Sequence, residues 1–111
     1  MRILAVVFAA AALLFLSDMV NSREYNGTLK GVVLLKDGQP AAGARVMEEE
    51  DDGDGSHPHA MLTDGEGRFA FVRVSPGAYR LKAYYHDTWS AWIKQQRVRA
   101  GKDTEVTLRM P

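Results

Sequence analysis

The 111-residue chain contains no cysteine. That excludes disulfide staples, a thiolate nucleophile and a lipid-modified cysteine after an export leader. A small exported domain without staples must be held by its apolar core. Charge of one sign is also missing: fourteen basic residues balance fourteen acidic ones. A neutral chain lacks the electrostatic footprint of a nucleic-acid binder, so no nucleic-acid partner is expected. No apolar period of 3.6 runs along the chain beyond its first residues, which argues against a helical domain. Only one long hydrophobic run occurs, at residues 3–16, "ILAVVFAAAALLFL".

That run follows Met1-Arg2 and precedes the polar stretch "SDMVNSRE", with Val20 and Ser22 at −3 and −1 of a cut before Arg23. The pattern predicts a signal peptide over residues 1–22 and a short linker over 23–27. An uncleaved N-terminal anchor is the alternative, although the run is short for a span of roughly 20 residues. Any membrane contact is expected only through that uncleaved segment. Cleavage removes one base, Arg2, and one acid, Asp18, so the mature chain stays neutral. The expected location is periplasmic or secreted.

Beyond the leader, short alternating segments are punctuated by Gly, Pro and Asp. They cover residues 29–35, 44–48, 59–63, 68–74, 79–86, 89–99 and 105–110. The fifth is the clearest: Tyr79, Leu81, Ala83 and Tyr85 share one face, and Arg80, Lys82, Tyr84 and His86 the other. Seven strands with turns at roughly ten-residue spacing predict an all-β sandwich over residues 28–111. No connection is long enough for a helical crossover, so antiparallel pairing is expected throughout. In the sixth segment the alternation breaks, which predicts a bend or bulge.

The punctuation has an order. It reads Gly31-x-Val33, Asp37-Gly38-Gln39-Pro40, Gly43-Ala44-x-Val46, Thr63-Asp64-x-x-Gly67-x-Phe69-x-Phe71 and Pro76-Gly77-x-Tyr79-x-Leu81. This order resembles the carboxypeptidase regulatory-like domain family over about residues 28–110. The resemblance implies a transthyretin-like (prealbumin-like), seven-stranded antiparallel Greek-key sandwich, preceded here by the signal helix. It also implies an accessory, non-catalytic role beside enzymes or receptors. Thr63 to Gly67 suits a tight hairpin, with Asp64 bonding its own backbone and Gly67 at positive φ. Phe69 and Phe71 should lie between the sheets, and the Tyr79 hydroxyl should find a backbone partner at the Pro76-Gly77 corner.

Two regions depart from the family pattern. The first is "EEEDDGDGSHPH", residues 48–59, with six acids and two histidines. Glu50, Asp52 and Asp54 before Gly55 mimic half of a calcium loop, but Met61 stands where the bidentate acid belongs. His57 and His59 add ligands suited to zinc or copper. The plainer expectation is an extended, water-facing connector between strands two and three, and no cofactor is expected. The second region is the aromatic group Tyr84, His86, Trp89 and Trp92, a candidate surface for an envelope or extracellular protein, or for a glycan. By strict alternation Trp89 and Trp92 cannot share a face, so at least one should be partly exposed unless a bulge intervenes.

Catalysis is not expected. The chain has no Ser-His-acid set at a recognisable motif. The fold's enzymatic branch, the 5-hydroxyisourate hydrolases, ends in Tyr-Arg-Gly-Ser, whereas this chain ends "VTLRMP".

Overall fold

The computed structural model describes residues 25–55 and 58–111. The expected signal peptide and His57 lie outside the described residues. Every named element is a β-strand: β1 (Gly27–Leu34), β2 (Arg45–Glu50), β3 (His59–Leu62), β4 (Arg68–Val74), β5 (Gly77–Tyr85), β6 (Thr88–Trp89), β7 (Ile93–Val98) and β8 (Asp103–Arg109). They form two sheets. The smaller has the order β4-β1-β8, and the larger has the order β3-β2-β5-β6, with β7 also paired to β5.

Two expectations change here. Among the described residues the strands number eight, because the sixth segment is split. β6 pairs with the end of β5 at Tyr84 and Tyr85, and β7 pairs with its beginning from Gly77 to Leu81. Between them Ser90 keeps the ladder going: its N–H donates to Ala83 O at 2.8 Å and its Oγ accepts from Ala83 N at 2.8 Å. Residues 91 and 92 are then free of the sheet. Pairing is also not antiparallel throughout, since β1 and β8 run parallel from Thr28↔Asp103 to Leu34↔Arg109. A parallel pair needs a long crossover. Here no helix supplies it; all the strands from β2 to β7 lie between the two partners in sequence.

The core fills the space between the sheets. Leu29 and Val33 of β1 meet Val46 of β2, Leu81 and Ala83 of β5, and Leu108 of β8, all fully buried. Alternation in β5 falls as its sequence requires, with Tyr79, Leu81 and Ala83 inward and Arg80, Lys82 and Tyr84 outward. Phe69 is buried in this core, while Phe71 is only half-buried, 6.0 Å away centroid to centroid.

The corners behave chemically as expected, with one topological difference. Asp64 Oδ1 accepts from the N–H groups of Glu66 and Arg68, both at 2.9 Å, and Gly67 sits at φ 74°. Yet this turn joins no hairpin, because β3 pairs with β2 and β4 with β1. It carries the chain from one sheet to the other. Thr63 pins it, donating to Ala41 O at 2.5 Å and accepting from Ala44 N at 2.9 Å, all buried. Tyr79 donates its hydroxyl to Ser75 O at 2.6 Å, the corner bond expected of it.

Candidate functional site

Strand register places the aromatic group. Paired residues share a face, so Leu62, Arg45, Tyr84 and Trp89 form one row across β3, β2, β5 and β6. Ala60, Met47 and Lys82 form the next row, and Glu49 and Arg80 the one after. This is the outer face of the larger sheet. Leu62 is 64% exposed and Trp89 45% exposed, on a face that also carries the long charged side chains of Arg45, Lys82 and Arg80.

Trp92 joins the same face, contrary to the expectation from strict alternation. Leaving the ladder after Ser90 frees it from the strand's phase. The result is a stacked series of cations and rings. The Arg80 guanidinium lies 4.6 Å from the centre of the Trp92 ring. Lys82 Nζ lies 4.5 Å from Trp92 and 4.2 Å from Trp89. Trp89 tilts against Tyr84 at 4.7 Å. Each cation–ring contact at an exposed site is worth about 0.5–1 kcal/mol, so the series holds its own shape. Lys82 is one residue shared by two indoles, which fixes their separation.

The series is anchored at both ends by acids. At one end Arg80 Nε donates to Glu49 Oε1 at 2.7 Å, and a second guanidinium nitrogen reaches the same oxygen. At the other, Tyr84 donates its hydroxyl to Asp87 Oδ1 at 2.8 Å. That bond raises the Tyr84 pKa, since the carboxylate holds the phenol proton. Asp87 and His86 form the β5–β6 loop, both at positive φ, 61° and 47°. His86 stacks on Tyr85 at 4.0 Å rather than joining the row of rings.

The acid-rich segment is not simply a water-facing connector. Its first three acids belong to β2, and Glu48 and Glu49 are buried. Glu49 belongs to the series just described. Glu48 faces the other way, in phase with Val46, and lies 3.0 Å from His59 Nδ1 on the neighbouring strand. Burial raises the Glu48 pKa; His59 partly offsets this, and Glu50 and Glu49 add to it. Asp51 Oδ2 accepts from Gln95 N at 2.8 Å, capping the bulge in β7 where Gln95 takes φ 59°. Among the described residues no three acids or histidines gather as metal ligands. Of the candidate metal set, Glu50, Asp52 and Asp54 are exposed, His59 is engaged with Glu48, and His57 lies outside the described residues.

Sequence reasoning passed over Glu48, Glu49, Arg80 and Lys82 as site residues. A signal for Glu48 was present: it continues the inward alternation of Ala44 and Val46. Nothing local marked the sharing of Lys82 between two tryptophans, because it depends on where the chain leaves the sheet.

The chain matches the model of the carboxypeptidase regulatory-like domain over residues 28–111. No curated protein matches it. Among solved structures it is similar to the TIE protein of Bacillus anthracis, at TM-score 0.62 and 17% identity, covering 78% of this chain and 16% of that one. It is also similar to the minor pilin of Streptococcus agalactiae, at TM-score 0.63 and 18% identity, covering 78% and 44%. A third is a candidate carbohydrate-binding protein of Pseudomonas aeruginosa, at TM-score 0.53 and 17% identity, covering 78% and 90%. The chain thus spans a small part of the first and under half of the second. These likenesses share the two-sheet sandwich, and the match over nearly all of the described residues decides membership: the chain belongs to the carboxypeptidase regulatory-like domain family.

Proposed function

We propose that the chain is an exported, non-catalytic β-sandwich module that docks another protein through the outer face of its larger sheet. The observation that carries this is the ordered series Arg80, Trp92, Lys82, Trp89 and Tyr84 on that face. Interfaces draw their energy from rigid aromatic and arginine side chains whose ordering entropy is already spent. The series is such a set, with exposed Leu62 extending its row. Likeness to a minor pilin supports a role in assembly. The envelope or the extracellular space is the setting that the N-terminal pattern favours. N-terminal sequencing of the mature protein tests that, with Arg23 the expected first residue.

Site-specific photo-cross-linking in the native cell tests the docking face. Probes at Leu62, Met47 and Trp89 should capture one common protein, and a probe at Thr107 on the smaller sheet should not. Replacing Trp89 and Trp92 together by alanine should abolish capture. Equal capture at Thr107, or capture indifferent to the two replacements, refutes the assignment.

The second reading is glycan binding, favoured by the 45% exposure of Trp89 and by the likeness to a candidate carbohydrate-binding protein. Sugar stacking needs an open ring face, and Lys82 lies over both indoles. That is why protein docking is the leading reading. A glycan array, with quenching of tryptophan fluorescence on sugar addition, separates the two.

A further inference from the structure

The two sheets do not close on every side. β3 is the edge of the larger sheet and β4 the edge of the smaller, and a cleft of ≈ 740 Å³ lies between them. Met61, Phe71, Val74 and Tyr79 give it apolar walls, and Glu48 lies at its floor. Glu49, Glu50 and Asp54 line it as further acids, and Arg73 is its one arginine. A cleft with apolar walls and a few convergent polar groups, here mostly carboxylates, is the form small-ligand sites take.

Glu48 is unusual within it. Only 1% of the residue is exposed, and a buried carboxylate is ordinarily matched by a permanent cation. Glu49, the next residue, has Arg80. The side chain bonded to Glu48 among the described residues is His59, whose imidazole is 79% exposed at the sheet edge and carries charge only when protonated. No lysine or arginine is bonded to Glu48 among those residues.

We propose that this cleft binds an organic cation, a primary ammonium on an apolar body, with Glu48 as its counter-ion. The ammonium takes up the hydrogen-bonding direction that His59 now fills, and the imidazole, exposed and on an edge strand, swings aside. Phe71, Met61 and Tyr79 receive the apolar body. The carboxylate's raised pKa fits this reading, because a cation arriving beside it supplies the compensation that burial withholds. The ammonium could belong to a free amine or to a lysine of a docked protein. The cleft shares Glu49 and Ala60 with the outer face, but its test reads Glu48 while the docking test reads Trp89 and Trp92, so failure of either proposal leaves the other standing.

The test is NMR titration of the protein with n-butylammonium, with n-butanol and butyrate as controls of similar size. Butylammonium should shift the amides of Glu48, His59, Met61 and Phe71, and the two controls should not. Glu48→Gln should weaken binding at least tenfold. His59→Ala, which removes the competing donor, should tighten it. Binding of butanol as strong as that of butylammonium overturns the proposal, as does indifference to Glu48→Gln, or weakening by His59→Ala. No shift with the ammonium overturns it too. A capped lysine peptide is the final arm: tighter binding than butylammonium identifies a protein lysine as the source, and binding of the free amine alone identifies a small molecule.

Discussion

Glu48 and Glu49 are consecutive, both buried, and turned to opposite faces of the larger sheet. Strand geometry forces the opposition; what differs is the answer each receives. Glu49 meets a guanidinium held between it and an indole, while Glu48 meets an exposed imidazole. One acid is locked into the outer surface. The other is a charge in an open cleft, only partly compensated. The sandwich therefore carries a self-contained polar lattice outside and an unfinished one at its side.

Breaking the finished pair should be costly. Arg80→Ala leaves the Glu49 carboxylate buried without its partner, and removal of one member of a buried pair costs about 3 kcal/mol. It also uncovers Trp92. Replacing both residues by apolar ones of similar size, Glu49→Leu with Arg80→Met, should recover most of that loss. Urea unfolding of the three variants checks it; equal stability of Arg80→Ala and the parent would show that the pair contributes nothing.

Relieving the unfinished one should be favourable, and in a pH-dependent way. The Glu48 pKa is raised above 4.5 in the folded protein, with burial the main cause. The folded state therefore holds that proton more tightly than the unfolded chain, and stability is lost as pH rises from 4.5 through the folded value. Glu48→Gln has no charge to bury. It should match the parent at acid pH and exceed it increasingly toward neutrality, seen by unfolding at intervals from about pH 4 to about pH 8. A constant gap across that range would remove Glu48 as the source.

Much of this architecture was readable from residue order, and the missing parts have definite physical causes. Period-two alternation located the strands and the inward set Tyr79, Leu81 and Ala83. Asp64, Gly67 and Tyr79 performed the corner chemistry their types imply. What alternation cannot show is which strands pair. The turn at Asp64 has the bonds of a hairpin and yet crosses between sheets, and β8 returns beside β1 in parallel. Trp92 shares the face of Trp89 for a related reason: alternation predicts a break in this segment but not the phase in which the chain leaves the ladder. The acid-rich segment was read by composition, as solvated, where its alternation with Val46 placed Glu48 inside.

The β5–β6 loop has residues its geometry does not favour. Tyr85↔Thr88 closes a two-residue loop with His86 and Asp87 both in the left-handed region. Asn-Gly is the favoured pair there; most L-residues cost roughly 1–2 kcal/mol in that region, Asp and His somewhat less. The Tyr84–Asp87 bond and the Tyr85–His86 stack offset part of this. His86→Asn with Asp87→Gly should therefore stabilise the protein by about 1 kcal/mol net. The same change removes the bond that raises the Tyr84 pKa, so the tyrosine should ionise at lower pH in an ultraviolet titration. A destabilised variant would mean that the two side-chain contacts outweigh the backbone strain.

Gly31 is where the sheet tolerates least. It lies mid-strand in β1, paired with Phe69 on one side and Val106 on the other. A Cβ built there would stand 1.8 Å from Val106 O and 2.9 Å from Phe69 Cζ. The first contact is with backbone, which cannot rotate away, so β1 and β8 would have to part along the parallel ladder that closes the smaller sheet. Gly31→Ala should cost at least about 3 kcal/mol and lower the Tm by more than about 10 °C. Gly65 is the matched control: it lies on an open corner with nothing within 4 Å of its Cβ position, so Gly65→Ala should stay within about 0.5 kcal/mol of the parent. Thermal unfolding of the two alanine variants side by side decides the matter, because alanine at both positions with equal Tm would mean that the β1–β8 approach is looser than the ladder between Gly31 and Val106 requires.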